Sequence, residues 1–97
     1  MGKVIFTVSY DITPEKRDEY LALVNEMKQT LAQRSASYSV YEQKGRKNAF
    51  SEIFVFNSLD DYEQMEDQDE QTTAYLSRLE SMLAKGKMKY STLVEVA

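Results

Sequence analysis

The spacing of apolar residues switches along this chain between two and three-to-four, and the order of the switches leaves few folds open. From Lys3 to Tyr10, Val4, Phe6, Val8 and Tyr10 recur at every second position, which predicts a strand. Thr13-Pro14-Glu15 then reads as a helix start: Thr13 supplies a capping oxygen, Pro14 suits the first helical position and Glu15 complements the dipole. Behind it Tyr20, Leu23, Val24, Met27 and Leu31 form one apolar stripe that ends before Arg34-Ser35. Ser37 to Lys44 returns to short alternation, with Tyr38, Val40 and Tyr41 as its apolar content. Gly45-Arg46-Lys47-Asn48 has the composition of a turn, and Phe50 to Phe56 completes an antiparallel hairpin.

Ser58 is placed to cap a second helical region, with Asp60 and Asp61 in its first turn. Leu59, Tyr62 and Met65 begin a stripe, the polar run Glu66 to Gln71 interrupts it, and Tyr75, Leu76, Leu79, Met82 and Leu83 resume it. The spacing predicts a short helix, a polar break and a longer helix ending at Lys85-Gly86, with Gly86 as a left-handed cap. Met88 to Val96 alternates again as a last strand. Strand, helix, hairpin, helix, strand is the ferredoxin-like βαββαβ order: an α+β fold with two helices on one face of a four-stranded antiparallel sheet.

Two of those strands are apolar on both sides. Phe6 and Val8 stand opposite Ile5, and Phe54 and Phe56 opposite Ile53 and Val55. Two helices on one face leave the other bare, and a large bare apolar face marks an interaction surface. The expectation is a homodimer joined through the sheet. Size agrees, since a single domain over 1–97 buries only about two-thirds of its unfolded surface and small domains commonly need a further staple. With no cysteine and no histidine, disulfides, thiolate sites and the commonest general base and metal ligand all drop out.

Twelve basic against sixteen acidic residues, a net charge of −4, oppose binding to nucleic acid or an anionic membrane. The longest apolar run, Ile53 to Phe56, is too short to cross a bilayer, and the first strand begins without a basic and then apolar leader. A cytoplasmic location is expected.

Glu52 shares a strand face with Phe50, Phe54 and Phe56. In an apolar pocket its pKa would rise and it would serve as a general acid or base. The competing reading makes it a carboxylate near the sheet edge, solvated or paired with Lys3 or Lys89. Tyr10, Tyr38, Tyr41 and Tyr90 all fall on predicted strands, where they either line a pocket for a planar ligand or simply express the strand preference of tyrosine. Asp60 to Glu70 holds seven carboxylates without the glycine or alternation of a calcium loop, so it reads as a solvated helix start with a polar break. Arg46 and Lys47, with Lys85, Lys87 and Lys89, read as solubilising or as partners of that acidic segment. No metal and no cofactor are expected.

An RNA-recognition domain shares this topology, but Asn48-Ala49 stands where its strand-three motif wants a basic residue and glycine. Glu52 would put a charge on the stacking surface. A regulatory amino-acid-binding domain also shares it, with no attached enzyme here to regulate.

Over roughly Lys3 to Val96 the chain resembles the antibiotic biosynthesis monooxygenase-like family of dimeric α/β barrels. Thr13-Pro14-Glu15-Lys16 is similar to that family's Pro-Gly-Lys entry to its first helix. Phe54-Val55-Phe56-Asn57-Ser58 with Asp61-Tyr62 is similar to its aromatic strand and capped helix, and Ala74-Tyr75-Leu76 to its small-aromatic-leucine step. The resemblance implies two subunits meeting sheet to sheet, a pocket between each sheet and its helices, and cofactor-independent oxygenation of a small aromatic or quinone-type compound. On that reading Phe54, Phe56, Tyr10, Tyr38 and Tyr90 bind the substrate and Glu52 is the catalytic acid–base group. The family often carries Trp at the place of Phe56 and His in the second helical region, and this chain has neither, which removes the usual haem ligand. The alternative is a non-catalytic dimer that binds a ligand or supports a partner.

Overall fold

The computed structural model describes residues 2–31, 37–66 and 70–96. Its elements are β1 (Val4–Asp11), α1 (Arg17–Leu31), β2 (Ser37–Glu42), β3 (Ala49–Phe56), α2 (Leu59–Glu66), α3 (Glu70–Glu80) and β4 (Lys89–Val94). The strands form one antiparallel sheet in the order β2-β3-β1-β4. This is the ferredoxin-like α+β arrangement that the order of periodicities predicts.

The first helical segment opens differently from expectation. Pro14–Lys16 is a 3-10 turn, and the Thr13 side chain makes no capping bond; the Thr13 carbonyl instead accepts from Lys16 N–H at 2.8 Å. Ser58 does cap, its Oγ accepting from Asp61 N–H at 3.2 Å. Of the polar break expected over Glu66 to Gln71, Glu66 closes α2 and Glu70 opens α3, and residues 67–69 lie outside the described residues.

The last helix ends earlier than its apolar stripe suggests. α3 stops at Glu80, and Leu83 leaves the helix to make an isolated antiparallel bridge with Ile12. Thr13 N–H donates to Met82 C=O and Ala84 N–H to Asp11 C=O, both at 2.9 Å, so this segment is claimed by the end of β1. Gly86 has the left-handed backbone expected of it (φ 64), but in the loop that follows and not as a helix cap.

One sheet face and three helical segments enclose the core. Val4, Val8 and Tyr10 from β1 and Phe50, Phe54 and Phe56 from β3 are buried against Tyr20, Leu23, Val24 and Met27 of α1 and Tyr75 and Leu79 of α3. Burial of each large apolar side chain contributes about 1.5–3 kcal/mol, and an ion pair between Arg78 and Glu26 (2.8 Å) links α3 to α1 at the surface. Leu59 and Leu76, read as stripe residues, are exposed instead.

The opposite face carries Ile5, Thr7 and Ser9, then Ser51, Ile53 and Val55, then Tyr41 and Leu93. Among the described residues no helix covers it: Leu93 is 55% and Tyr41 58% exposed. β4 is an edge strand, and all six of its residues are exposed. Among the described residues no helix is long and apolar enough to cross a membrane.

Candidate functional site

The inward residues of β3 run Phe56, Phe54, Glu52, Phe50, so a carboxylate interrupts an aromatic row. Register explains its burial. β3 is an interior strand, and Glu52 lies between Val8 of β1 and Val40 of β2. Its exposure is 2%, and it forms no ion pair with Lys3, Lys89 or any other described cation. The edge-carboxylate reading is therefore replaced by an enclosed carboxyl group.

Phenols take the place of a cation. Tyr38 and Tyr75 donate to Glu52 Oε1 at 2.7 and 3.0 Å, and Tyr10 donates to Oε2 at 2.7 Å. Tyr20 lies 2.7 Å from the Tyr10 oxygen. Each phenol has one proton, so when Tyr10 serves Glu52, Tyr20 must donate to Tyr10. Tyr38 and Tyr75 oxygens are 3.2 Å apart while both donate to the same carboxylate oxygen. A protonated Glu52 is also accommodated: the acid O–H donates a hydrogen bond to one of these two phenol oxygens, and that phenol donates in turn to the other. The cage holds either charge state without moving a heavy atom.

Burial pushes the Glu52 carboxyl above the ordinary carboxylate range, while the bonds from Tyr10, Tyr38 and Tyr75 pull it back toward ionisation. Burial and then the Glu52 charge push Tyr10, Tyr38 and Tyr75 well above the ordinary phenol value, and burial does the same to Tyr20. These phenols remain donors throughout the range in which Glu52 titrates. Among the described residues no buried side-chain nitrogen or oxygen lacks a partner.

Of the residues the sequence singles out, Glu52, Tyr10 and Tyr38 meet directly. Phe54 packs on Tyr38 with ring centroids 4.9 Å apart, and Phe56 stacks beyond it at 6.4 Å. Tyr90 stands apart: it is 60% exposed on β4, stacks on Phe6 and donates to Met88 Sδ at 3.3 Å. Tyr41 points from the uncovered face. Tyr20 and Tyr75 were legible only as stripe residues, yet both join the network. A tyrosine on a buried helical face needs a partner for its hydroxyl; Tyr75 finds it in the Glu52 carboxylate on the facing strand and Tyr20 in the Tyr10 hydroxyl.

At the other end of β3, Phe50 packs on Tyr20 at 4.5 Å and carries the Arg17 guanidinium over its ring at 5.5 Å. Arg17 clasps Glu42 through two bonds of 2.7 and 3.0 Å. That bond, with one from Asn48 N–H, holds the Glu42 carboxyl down at about 2. Arg46 pairs with Asp11 at 2.9 Å.

Solved structures with the same arrangement span nearly the whole chain. A provisionally named antibiotic biosynthesis monooxygenase from Caulobacter crescentus CB15 superposes with a TM-score of 0.86 at 14% identity, over 99% of this chain and 92% of that one. SnoaB, a cofactor-independent oxygenase from Streptomyces nogalater, gives 0.80 at 10% identity, covering 98% and 94%. A further antibiotic biosynthesis monooxygenase gives 0.73 at 18% identity, covering 100% and 98%. The fold is that of the antibiotic biosynthesis monooxygenase-like proteins. No protein-family profile matches the chain. No curated protein matches it either. At these identities the likeness to antibiotic biosynthesis monooxygenases is one of backbone, and the Glu52 cage is described from this chain's own residues.

Proposed function

We propose that this chain is a homodimeric, cofactor-independent oxygenase-like enzyme acting on a small aromatic hydroxyl compound, with Glu52 as the proton acceptor. The observation that carries the reading is the buried carboxylate held by three phenols and no cation. Such a group has a raised proton affinity and surroundings already matched to aromatic hydroxyls. Tyr38, the only half-buried member of the cage, is the entry point. Its oxygen accepts the substrate proton as its own passes to Glu52. The electron-rich anion so formed reacts with dioxygen directly. One oxygen atom enters the product and the other leaves as water, with hydrogens and electrons drawn from the substrate, so that an activated CH2 becomes a carbonyl. Phe54 and Phe56 support the ring of Tyr38, and the solved structures named as oxygenases make this chemistry the natural first test.

The uncovered face of Ile5, Ile53, Val55 and Leu93 supports assembly through a second copy, since these apolar side chains share a sheet face that the core does not use. A second reading also has an observation in its favour. Every buried side-chain nitrogen and oxygen among the described residues already has a partner, as expected if the cage is structural and the dimer only binds a ligand. Oxygen uptake with a panel of hydroxylated aromatics separates the two. Glu52→Gln should abolish uptake and leave the subunit count unchanged. Uptake equal to that of the unaltered protein would remove Glu52 from the chemistry, and no uptake by the unaltered protein would favour the second reading.

A further inference from the structure

The hairpin between β2 and β3 concentrates positive charge on a chain whose net charge is −4. An open cleft of about 550 Å³ lies there, lined by Arg17, Glu42, Lys44, Gly45, Arg46 and Lys47. Its volume falls in the range of small-molecule sites, about 300–1,000 Å³. Four cations face one carboxylate, and that carboxylate is spoken for: Glu42 accepts two bonds from Arg17 and a third from Asn48 N–H at 2.7 Å. Asp11, the next nearest acid, is shared by Arg46 (2.9 Å) and Lys85 (3.8 Å). Lys44 and Lys47 are left without an ion pair among the described residues.

The scaffold under them is fixed. Arg17 also donates to Asn48 Oδ1 at 2.9 Å, and Asn48 is buried with a left-handed backbone (φ 68). Two tight turns follow one another, Arg46 N–H to Gln43 C=O at 3.1 Å and Ala49 N–H to Arg46 C=O at 3.3 Å. The main-chain N–H groups of Lys44, Gly45 and Lys47 donate to no main-chain acceptor. Lys47 also helps to hold the Glu42 carboxyl down without forming an ion pair with it. Turn N–H groups with no main-chain acceptor, beside ammonium groups with no ion pair, are what an oxyanion of two or more charges requires.

We infer that this hairpin cleft is a binding site for a small phosphorylated compound, with Lys44 and Lys47 as its charge contacts and the intervening main-chain N–H groups as donors. Phe50 and Tyr20 separate the cleft from Glu52, so the site stands independently of the function proposed above.

The test is an amide NMR titration of the whole protein with pyrophosphate, with sodium chloride balancing ionic strength. Saturable shifts confined to Lys44–Lys47 and their neighbours are expected. The Lys44→Gln/Lys47→Gln double variant should weaken binding about tenfold, as two surface charge contacts together supply. Both lysines are exposed, and the rest of the variant's spectrum reports that the fold is intact. Glu52→Gln should bind pyrophosphate as the unaltered protein does. Shifts that are absent, that never saturate, that chloride reproduces, or that survive in the double variant would overturn the site.

Discussion

Tyr10 and Glu52 stand diagonally on neighbouring strands, yet the Tyr10 hydroxyl lies 2.7 Å from Glu52 Oε2. The residue directly opposite Glu52 is Val8, so the contact depends on the reach of a tyrosine from the next inward position. Diagonal pairs across a strand are within range of aromatic side chains. The consequence is a charge that the sheet alone could not hold. Tyr10 serves one carboxylate oxygen from within the sheet, while Tyr38 and Tyr75 serve the other from β2 and α3.

Stability should therefore depend on pH through Glu52. Its folded pKa lies above the ordinary 4.5, so the native state holds the proton more tightly than the unfolded chain. The stabilisation is complete below that ordinary value and is lost as pH rises through the folded one. Urea unfolding in the acid-to-neutral range should show stability falling with pH, by at most about 1.4 kcal/mol per unit. Glu52→Gln should flatten that slope. An identical slope in the variant would assign the dependence to other groups.

The two carboxylate oxygens are not equally served, and substitutions should reveal it. Tyr10→Phe strips Oε2 of its phenol donor and leaves the Tyr20 hydroxyl without its partner. A cost of about 1–3 kcal/mol is expected, the range for a buried polar group left unsatisfied. Tyr75→Phe leaves Oε1 with the Tyr38 bond and should cost nearer 0.5–1.5 kcal/mol, the net worth of an ordinary hydrogen bond. Chemical denaturation of both variants gives the comparison. A larger loss in Tyr75→Phe would contradict the proton assignment.

The order of elements was legible because each depends on local periodicity, and β1, α1 and the hairpin strands match it to within a few residues. The α3 stripe misled for a physical reason. Met82 and Leu83 continue the helical spacing, but Ile12 and Asp11 offer the backbone of that segment a bridge and a hydrogen bond, which outweigh another helical turn. Glu52 stood out as a carboxylate on an aromatic face. Its strand partners Tyr10 and Tyr38 stood out with it, but Tyr75, and Tyr20 behind Tyr10, did not, because each serves two purposes: the ring fills a helical stripe, and the hydroxyl meets a residue on a strand. Spacing along one helix carries no information about the second.

Arg17 and Glu42 give a pH prediction of the opposite sign. Glu42 sits at about 2 because Arg17 and Asn48 N–H favour its charged form. The native pair is intact above the ordinary carboxylate value and weakens as pH falls toward that low figure. Arg17→Gln should move the titration midpoint of the Glu42 side-chain carboxyl, followed by its NMR resonance, up toward the ordinary range. A midpoint that stays near 2 would mean that Asn48 N–H alone sustains the shift.

The uncovered sheet face makes the last prediction. Ile53 is central on it, with Thr7 of β1 and Ser39 of β2 beside it, and points away from the core that Glu52 and Phe54 face. Ile53→Asp should leave the interior packing and the Glu52 cage unaltered while placing an unpaired charge in any sheet-to-sheet contact. Breaking a buried contact with an uncompensated charge costs about 3–5 kcal/mol, enough to raise a dimer dissociation constant at least about a hundredfold. Sedimentation velocity at micromolar concentration should show a dimer for the unaltered protein and a monomer for the variant, with matching far-ultraviolet circular dichroism. A monomer in both would leave Ile5, Ile53, Val55 and Leu93 bare in solution and sink the homodimer. A dimer in both would take the interface off this face and make the exposed β4 edge, with Tyr90 and Val94 on its other side, the next surface to test.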